Sequence, residues 1–375
     1  MIRIFSVLIL ALQVLLRTGA FTTYSKDHFH AFAGSLPSLS SLDKDTGSLL
    51  TPLLVPRVSG TQGATDVFNW LHTYLSRNLT GWKVEEDRFT AQTPLAQVEF
   101  VNLVATMDPP GVPEHEVTRL VLAAHYDSKM FPPGFIGATD SSVPCAILLY
   151  IAEMLSARLP FLWEEEYWDD LDGLEEKSPL GVQLIFFDGE EAVHDWTHED
   201  SIYGAKHLAE RWESELVGPL PTSAKRNKLQ TIGLFVLLDL LGAPNTLISS
   251  FFTTTHWAYS HLAWIEELLR ETKLAKSTQS DHIFAAGRTD FNAAGLIEDD
   301  HLPFMQRGVE ILHLIPVPFP AVWHAMEDDG EHLDQASIDD LAVIFSVFTA
   351  QWLDMPTSAK QKRSDALPSQ THEEL

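Results

Sequence analysis

The chain has 375 residues, 45% of them hydrophobic, which is enough to bury one large core. Its 52 acidic residues outnumber the 25 basic ones and give a formal net charge of −27. Such a surface repels phosphate, so nucleic acid is excluded as an expected partner. The only cysteine, Cys145, excludes an intrachain disulfide, and the stability of the fold must come from its core.

The N-terminal segment predicts entry into the secretory pathway. Arg3 precedes an apolar run from Ile4 to Leu16 that is too short to span a bilayer comfortably, and Gly19-Ala20 offers small residues for cleavage. We therefore expect residues 1–20 to be a signal peptide and the protein to be secreted. Retention in the Golgi by an N-terminal signal anchor is the alternative, because a basic residue follows the run directly. Asn78 lies in a glycosylation sequon, which agrees with secretion.

The hydrophobic pattern after the leader predicts alternating strands and helices. Residues 21–60 are expected to wrap the surface. Apolar runs or alternation predict strands at 89–90, 98–107, 118–124, 182–187, 231–238 and 309–315. Helical spacing predicts helices at 67–75, 144–159, 202–212, 256–272 and 337–352. Ser141 or Ser142 is expected to cap the second helix.

Two further segments are not expected to form regular elements. The acidic stretch 163–177 is interpreted as a solvent-exposed segment between regular elements, and the tail at 356–375 as disordered. No segment after the leader is expected to be apolar enough to cross a membrane, and no stable membrane partner is expected.

Strands that alternate with helices and are apolar throughout are typical of parallel sheets covered on both faces. The sequence therefore predicts an α/β fold, a three-layer sandwich with a mixed, centrally parallel sheet flanked by helices. We expect one catalytic domain over residues 21–355.

Polar side chains of the metal-ligand type follow three of the apolar strands. These side chains are His125, the Asp188–Glu191 stretch and Asp239. Because sites in open α/β sheets lie outside the carboxyl ends of the strands, the three strand ends indicate one site. Asp140, just before a predicted helix, and His324, after a Pro-rich stretch, are further candidates. Each residue also has a non-functional alternative. Asp140 would then cap the N-terminus of the helix, and His324 would be an ordinary surface or packed histidine.

The adjacent Glu190 and Glu191 pose a specific question, because they follow directly on a buried strand. On an ordinary loop, solvent alone would accommodate both carboxylates. Histidine and carboxylate ligands without cysteine suit zinc, and zinc supplies Lewis acidity but no base. As sequence neighbours the two glutamates cannot point at one spot, so one can bind metal while the other moves protons.

The stretches that contain these residues resemble the secreted glutaminyl cyclases, which are glutaminyl-peptide cyclotransferases of the zinc aminopeptidase-like (M28-type) fold. The resemblance is carried, in order, by NWLHTYL, AAHYDSK, GATDSSVPCA, LIFFDGEEAVHDW, DSIYGAKHLA, LLDLLGAP and EDDHLPFMQRGVEILHLIPVPFPAVWH. The resemblance is dispersed from about residue 67 to residue 334.

The resemblance implies a role for each matching residue. One zinc ion per chain would be bound by Asp140, Glu191 and His324. Glu190 would be the general acid/base, with Asp239 and Asp299 in the proton-transfer network. The substrate pocket would be lined by aromatic and polar side chains, namely Trp196, His313, Phe319 and Trp323. A strained, cis peptide at Asp140-Ser141 is also implied.

The activity implied is the conversion of an N-terminal glutamine of peptides or proteins to pyroglutamate, with release of ammonia, by an acyltransferase that we expect to be a monomer. Animal relatives pair two cysteines near this site; here Cys145 occupies one position and Ala124 the other, so the disulfide is missing.

Two other functions compete with this interpretation. A di-zinc aminopeptidase of the same fold needs five ligands, and their residue types are all present: His125, Asp140, Glu191, Asp239 and His324. A non-catalytic binding protein on the same fold would typically have lost the base or the ligands, and this chain keeps both.

Overall fold

A computed structural model of the chain describes residues 23–163, 179–218, 226–293 and 295–356. The predicted signal peptide, nearly all of the acidic stretch and nearly all of the predicted tail lie outside the described residues. The helices are Lys26–Ala33 (α1), Gln62–Thr73 (α2), Val143–Ser156 (α3), Tyr203–Ser214 (α4), His256–Glu271 (α5), Leu302–Met305 (α6) and Gln335–Trp352 (α7). The strands are Lys83–Gln92 (β1), Gln97–Met107 (β2), Thr118–His125 (β3), Leu180–Phe187 (β4), Leu216–Val217 (β5), Arg226–Asn227 (β6), Ile232–Leu238 (β7), Ile248–Ser250 (β8), Phe284–Thr289 (β9) and Ile311–Leu314 (β10).

Six of the strands form the central mixed sheet in the order β1-β2-β4-β3-β7-β10. The four strands from β4 to β10 are parallel, whereas β2 runs antiparallel to both β1 and β4. Their carboxyl ends therefore lie at one edge of the sheet. This arrangement confirms the predicted mixed sheet with a parallel centre.

Helices cover both faces of this sheet, which accounts for the apolar character of its central strands. In β3, Leu120 and Leu122 pack into a large core with α3, α5 and α7, whereas the alternating Val121 and Ala123 pack with α4 and Phe304 of α6. Since successive side chains of a strand point to opposite faces, the two clusters lie on opposite sides of the sheet. The predicted three-layer sandwich is therefore confirmed.

The N-terminal segment is not confined to the surface, so the prediction for residues 21–60 is wrong in part. Phe29 and Phe32 of α1 and the side chains of Leu49 and Leu50 are fully buried in the larger core. A short helix with two phenylalanines on one face covers the helical layer, and the Tyr24 hydroxyl donates to the carbonyl of Met355. Burial of such side chains contributes about 2 kcal/mol each.

Helix α3 corrects two predictions. Ser142, at the cap position directly before the helix, makes no side-chain cap. Its hydroxyl lies within hydrogen-bond distance of the carbonyls of Leu53 and Gly137, and the Ser141 hydroxyl donates to Asp239. The helical stretch Ala138–Trp163 is also long and apolar enough to cross a membrane, contrary to expectation, but 67% of its apolar window is buried inside the protein. It is a core helix between the sheet and α7.

Candidate active site

The three predicted strand ends converge, because β4, β3 and β7 are neighbours and parallel. His125 ends β3, Asp188 follows β4 and Asp239 follows β7, and all three side chains are buried. His125 Nε2 lies 3.4 Å from Asp239 Oδ1. The fold thus brings together residues that are more than a hundred positions apart in the sequence.

Asp127 holds the backbone of the two adjacent glutamates. Its carboxylate accepts hydrogen bonds from the backbone N–H of Glu190 (3.1 Å) and of Glu191 (3.2 Å). Gly189 has a φ of 72°, a conformation that favours glycine, and its carbonyl accepts from the N–H of Tyr203 at the start of α4. This turn and Asp127 fix the backbone that carries both glutamates.

Asp140, Glu191 and His324 form a group that fits a metal ion. One ligand atom from each lies within 4.8 Å of the others, with His324 Nε2 3.5 Å from Asp140 Oδ2 and 3.8 Å from Glu191 Oε2. Glu191 Oε1 is buried and has no hydrogen-bond partner among the described residues. Two buried carboxylates and an imidazole nitrogen that converge in this way supply the donor set that zinc prefers.

The electrostatics of this group favour a cation. Burial, together with the charge of Asp140, raises the pKa of Glu191 to about 8. Burial opposes ionisation of Asp140 as well, but hydrogen bonds with His125 and His324 outweigh it and lower the Asp140 pKa. A divalent ion at this place would compensate both carboxylates at once.

A second group of metal-ligand type adjoins the first. His125 Nε2 lies 3.0 Å from Asp140 Oδ1, and together with Asp239 these residues offer three ligand atoms within 4.8 Å of one another. Asp140 belongs to both groups and can bridge them. The five residues of the aminopeptidase alternative are therefore all assembled, and the geometry leaves that alternative open.

Glu190 belongs to neither group, and buried acids surround it. Burial and the charges of Glu191, Asp299 and Asp300 raise the pKa of Glu190 well above its usual value, against the influence of His125. His313 Nε2 lies 2.7 Å from Asp299 Oδ2. Burial alone would raise the pKa of Asp299, but the hydrogen bond and charge of His313 outweigh it, so the pKa is lowered. A carboxyl with a raised pKa beside one with a lowered pKa is an arrangement that suits a general acid/base.

Aromatic side chains flank His324. Trp323 stacks on the His324 ring with centroids 3.9 Å apart, and Phe319 packs edge-on against Trp323 at 4.8 Å. Trp196 donates from Nε1 to Glu298 Oε2 (3.0 Å), next to Asp299 in the chain. Trp196 and Trp323 remain 39% and 40% exposed, so both present apolar surface to a ligand.

The comparisons with known proteins agree with this geometry. The sequence model of Peptidase family M28 matches residues 102–349. A glutaminyl-peptide cyclotransferase-like protein from Mus musculus is 43% identical over 82% of this chain and 75% of its own length. A glutaminyl-peptide cyclotransferase from Gloydius blomhoffii is 40% identical over 82% of this chain and 80% of its own length. The chain belongs to the glutaminyl-peptide cyclotransferase family.

The fold of the family is also shared in a solved structure. The crystal structure of Macrostomum lignano glutaminyl cyclase matches with a TM-score of 0.74 and 35% identity, over 90% of this chain and 95% of that chain. The expected resemblance to glutaminyl cyclases, on an M28-type fold, is confirmed.

This member of the family contains the loop conformation that the resemblance implied, and a residue that sequence reasoning missed supports it. The Asp140-Ser141 peptide is cis. Arg57, fully buried, donates to the carbonyls of Ile136, Gly137 (3.0 Å) and Asp140 (3.4 Å) around it. No motif marks Arg57 in the sequence, because all of these contacts are with backbone atoms.

Two other residues beside the site also escaped prediction. Asp127, two residues after β3, holds the backbone of the two glutamates, a role that its position in the sequence does not indicate. Lys129 Nζ lies 3.4 Å from Glu191 Oε2. Cys145 is a free, buried cysteine, and its Sγ lies 3.1 Å from the carbonyl oxygen of His125.

Proposed function

We propose that this chain is a zinc-dependent glutaminyl-peptide cyclotransferase, an acyltransferase that converts the N-terminal glutamine of peptides or proteins to pyroglutamate and releases ammonia. The proposal rests on one observation: a chain 40–43% identical to named cyclotransferases keeps an intact Asp140, Glu191 and His324 group with an unshared Glu190 beside it. One zinc ion per chain would be bound by those three residues. Bound zinc supplies Lewis acidity at the γ-carbonyl oxygen of the substrate glutamine.

Glu190 carries the proton transfer in this proposal. The substrate α-amine reacts in its neutral form, and as it attacks the carbonyl carbon of its own side-chain amide Glu190 accepts the proton that this nitrogen loses. A bond forms between the α-nitrogen and the γ-carbonyl carbon, and the bond from that carbon to the amide nitrogen breaks. Glu190 returns the proton to the leaving nitrogen, which departs as ammonia. Asp239 and Asp299, with its partner His313, set the charge around Glu190.

The aromatic residues orient the substrate. Nucleophile and electrophile belong to the same residue, so the main task is to hold the side chain folded back on the amine. Trp196, Phe319 and Trp323 would form the walls that exclude water, and His313 would support the floor through Asp299. Such walls suit a short, neutral amide side chain. N-terminal glutamate, with a carboxylate in place of the amide, is a poorer electrophile and is expected to react more slowly.

A di-zinc aminopeptidase is the second candidate, favoured by the His125, Asp140 and Asp239 group. The experiment that separates the two functions uses purified protein with its zinc content measured. A glutaminyl peptide and a leucyl peptide are supplied, and ammonia release and peptide-bond cleavage are followed. We expect ammonia and pyroglutamate with one zinc per chain; free leucine with two zinc ions per chain would overturn the proposal.

We further propose that the protein is a secreted glycoprotein and a monomer, without nucleic-acid or membrane partners. Asn78, at the end of the π-helical turn Tyr74–Asn78, is exposed and accessible to glycosylation. The acidic balance of the chain disfavours anionic partners. Expression of the full chain in eukaryotic cells tests secretion and glycosylation, since a secreted product carries a glycan and lacks residues 1–20, whereas Golgi retention would leave the protein in the cells.

A further inference from the structure

Two irregular segments provide two of the three proposed zinc ligands, and one buried residue joins them. Asp140 lies in the segment 136–142, and His324 lies in the segment 323–328. Asp328 Oδ1 accepts a hydrogen bond from the N–H of Thr139 (2.7 Å), and the Asp328 carbonyl accepts one from the N–H of Ala138 (3.0 Å). Asp328 therefore connects the segment that carries His324 to the residue directly before Asp140.

The position of Asp328 is energetically unusual. Its residue is 1% exposed, whereas its neighbour Glu327 is exposed, and Oδ2 has no hydrogen-bond partner among the described residues. Burial of a carboxyl group with incomplete hydrogen bonding costs free energy. A residue with this cost is expected to perform a local task that an apolar residue cannot.

That task is set by the backbone around Asp140. Asp140 has φ −118° and ψ 71°, so the regular helical hydrogen bonds are interrupted there. Arg57 donates to carbonyls of this segment, as described above, and Asp328 accepts from its N–H groups. The two buried side chains satisfy opposite polarities of one irregular backbone, and only Asp328 also belongs to a ligand-bearing segment.

We propose that Asp328 is a positioning residue that fixes Asp140 relative to His324 and so preorganises the metal site. The inference rests on the zinc site of the proposed function. Replacing a residue that orients a metal ligand typically lowers metal affinity about 10- to 100-fold. Asp328 acts through a backbone N–H, so an acceptor of the same shape should serve in its place.

The test compares Asp328→Ala with Asp328→Asn and with the matched control Asp329→Ala. Asp329 is the next residue, and its side chain accepts from the N–H groups of Glu331 and His332, away from the metal site. Zinc affinity is measured by competition with a chromogenic chelator. Hydrogen exchange of the Thr139 amide is measured in the metal-free protein, with amides of β3 as an internal reference.

We expect Asp328→Ala to weaken zinc binding about 10- to 100-fold and to accelerate Thr139 exchange relative to β3. Asp328→Asn, which keeps an oxygen acceptor, should stay within about threefold of wild type in affinity, as should the control. Unchanged affinity in Asp328→Ala, or equal losses in the alanine and asparagine variants, overturns the positioning role while the proposed function stands. Wild-type protein that binds no zinc overturns the proposed function itself, and the positioning role with it.

Discussion

Replacing Glu191 by glutamine should stabilise the metal-free protein at neutral and alkaline pH, although the same change should weaken metal binding. The folded protein holds Glu191 with its pKa raised from 4.5 to about 8, mainly by burial and next by the charge of Asp140. Because its folded-state pKa is raised, protonated Glu191 contributes stability that is fully present below about pH 4.5. This contribution is lost progressively as the pH rises toward and through 8. Glutamine keeps the shape of the side chain and cannot ionise.

The size of the effect follows from that shift. A rise of the pKa from 4.5 to about 8 corresponds to about 5 kcal/mol once Glu191 is fully ionised, and about 4 kcal/mol of this is already lost at pH 8. The side chain of Glu191 is only 4% exposed, so solvent screens it little. Glu191→Gln should therefore raise the free energy of unfolding of the metal-free protein by about 4 kcal/mol at pH 8 and by little near pH 4.5.

The assay is urea denaturation of chelator-treated wild-type protein, Glu191→Gln and the exposed control Glu327→Gln at several pH values between 5 and 8. The difference between Glu191→Gln and wild type should grow with pH, whereas the control should follow wild type. Saturating zinc should reverse the order at pH 8, because only wild type has the full ligand set. A difference that does not change with pH would refute the electrostatic argument.

Four further predictions concern the proposed roles. Glu190→Gln should lower kcat about 10²- to 10⁴-fold with zinc content unchanged, and normal turnover would remove Glu190 as the base. Asp140→Ala should reduce zinc per chain, measured by elemental analysis; undiminished zinc would remove it from the ligand set. Trp323→Ala should raise KM for a short glutaminyl peptide roughly 2- to 10-fold, and an unchanged KM would place Trp323 outside the pocket. Asn78→Gln should remove one glycan-sized mass from the secreted protein, and an unaltered mass would show that the sequon is unused.

Much of the fold could be predicted because its signals are local. The strands at 118–124 and 182–187 are buried on both faces and are therefore apolar throughout, which an amino-acid sequence shows directly. Polar residues directly after such strands marked the site, since parallel strands end at one edge of the sheet. The resemblance then assigned roles to individual residues, including Glu190, that the ligand inventory alone left open.

The parts that escaped prediction depend on contacts distant in the sequence. Arg57 and Asp328 bind backbone atoms of the segment around Asp140. Because every residue has these backbone atoms, the residue types of that segment do not reveal the contact. Ser142 would cap an ordinary helix, but its hydroxyl is used by the carbonyls of Leu53 and Gly137. The burial of α1 depends on two phenylalanines in a helix of eight residues, too short for a clear periodic pattern.

The central claim is that the protein is a glutaminyl cyclase whose activity depends on one metal ion, bound by Asp140, Glu191 and His324. Anomalous diffraction at the zinc edge, on crystals of protein purified with zinc, tests it most directly. The account predicts one anomalous peak, bounded by those three side chains. A second peak between His125 and Asp239, or no peak beside Glu191, would contradict it.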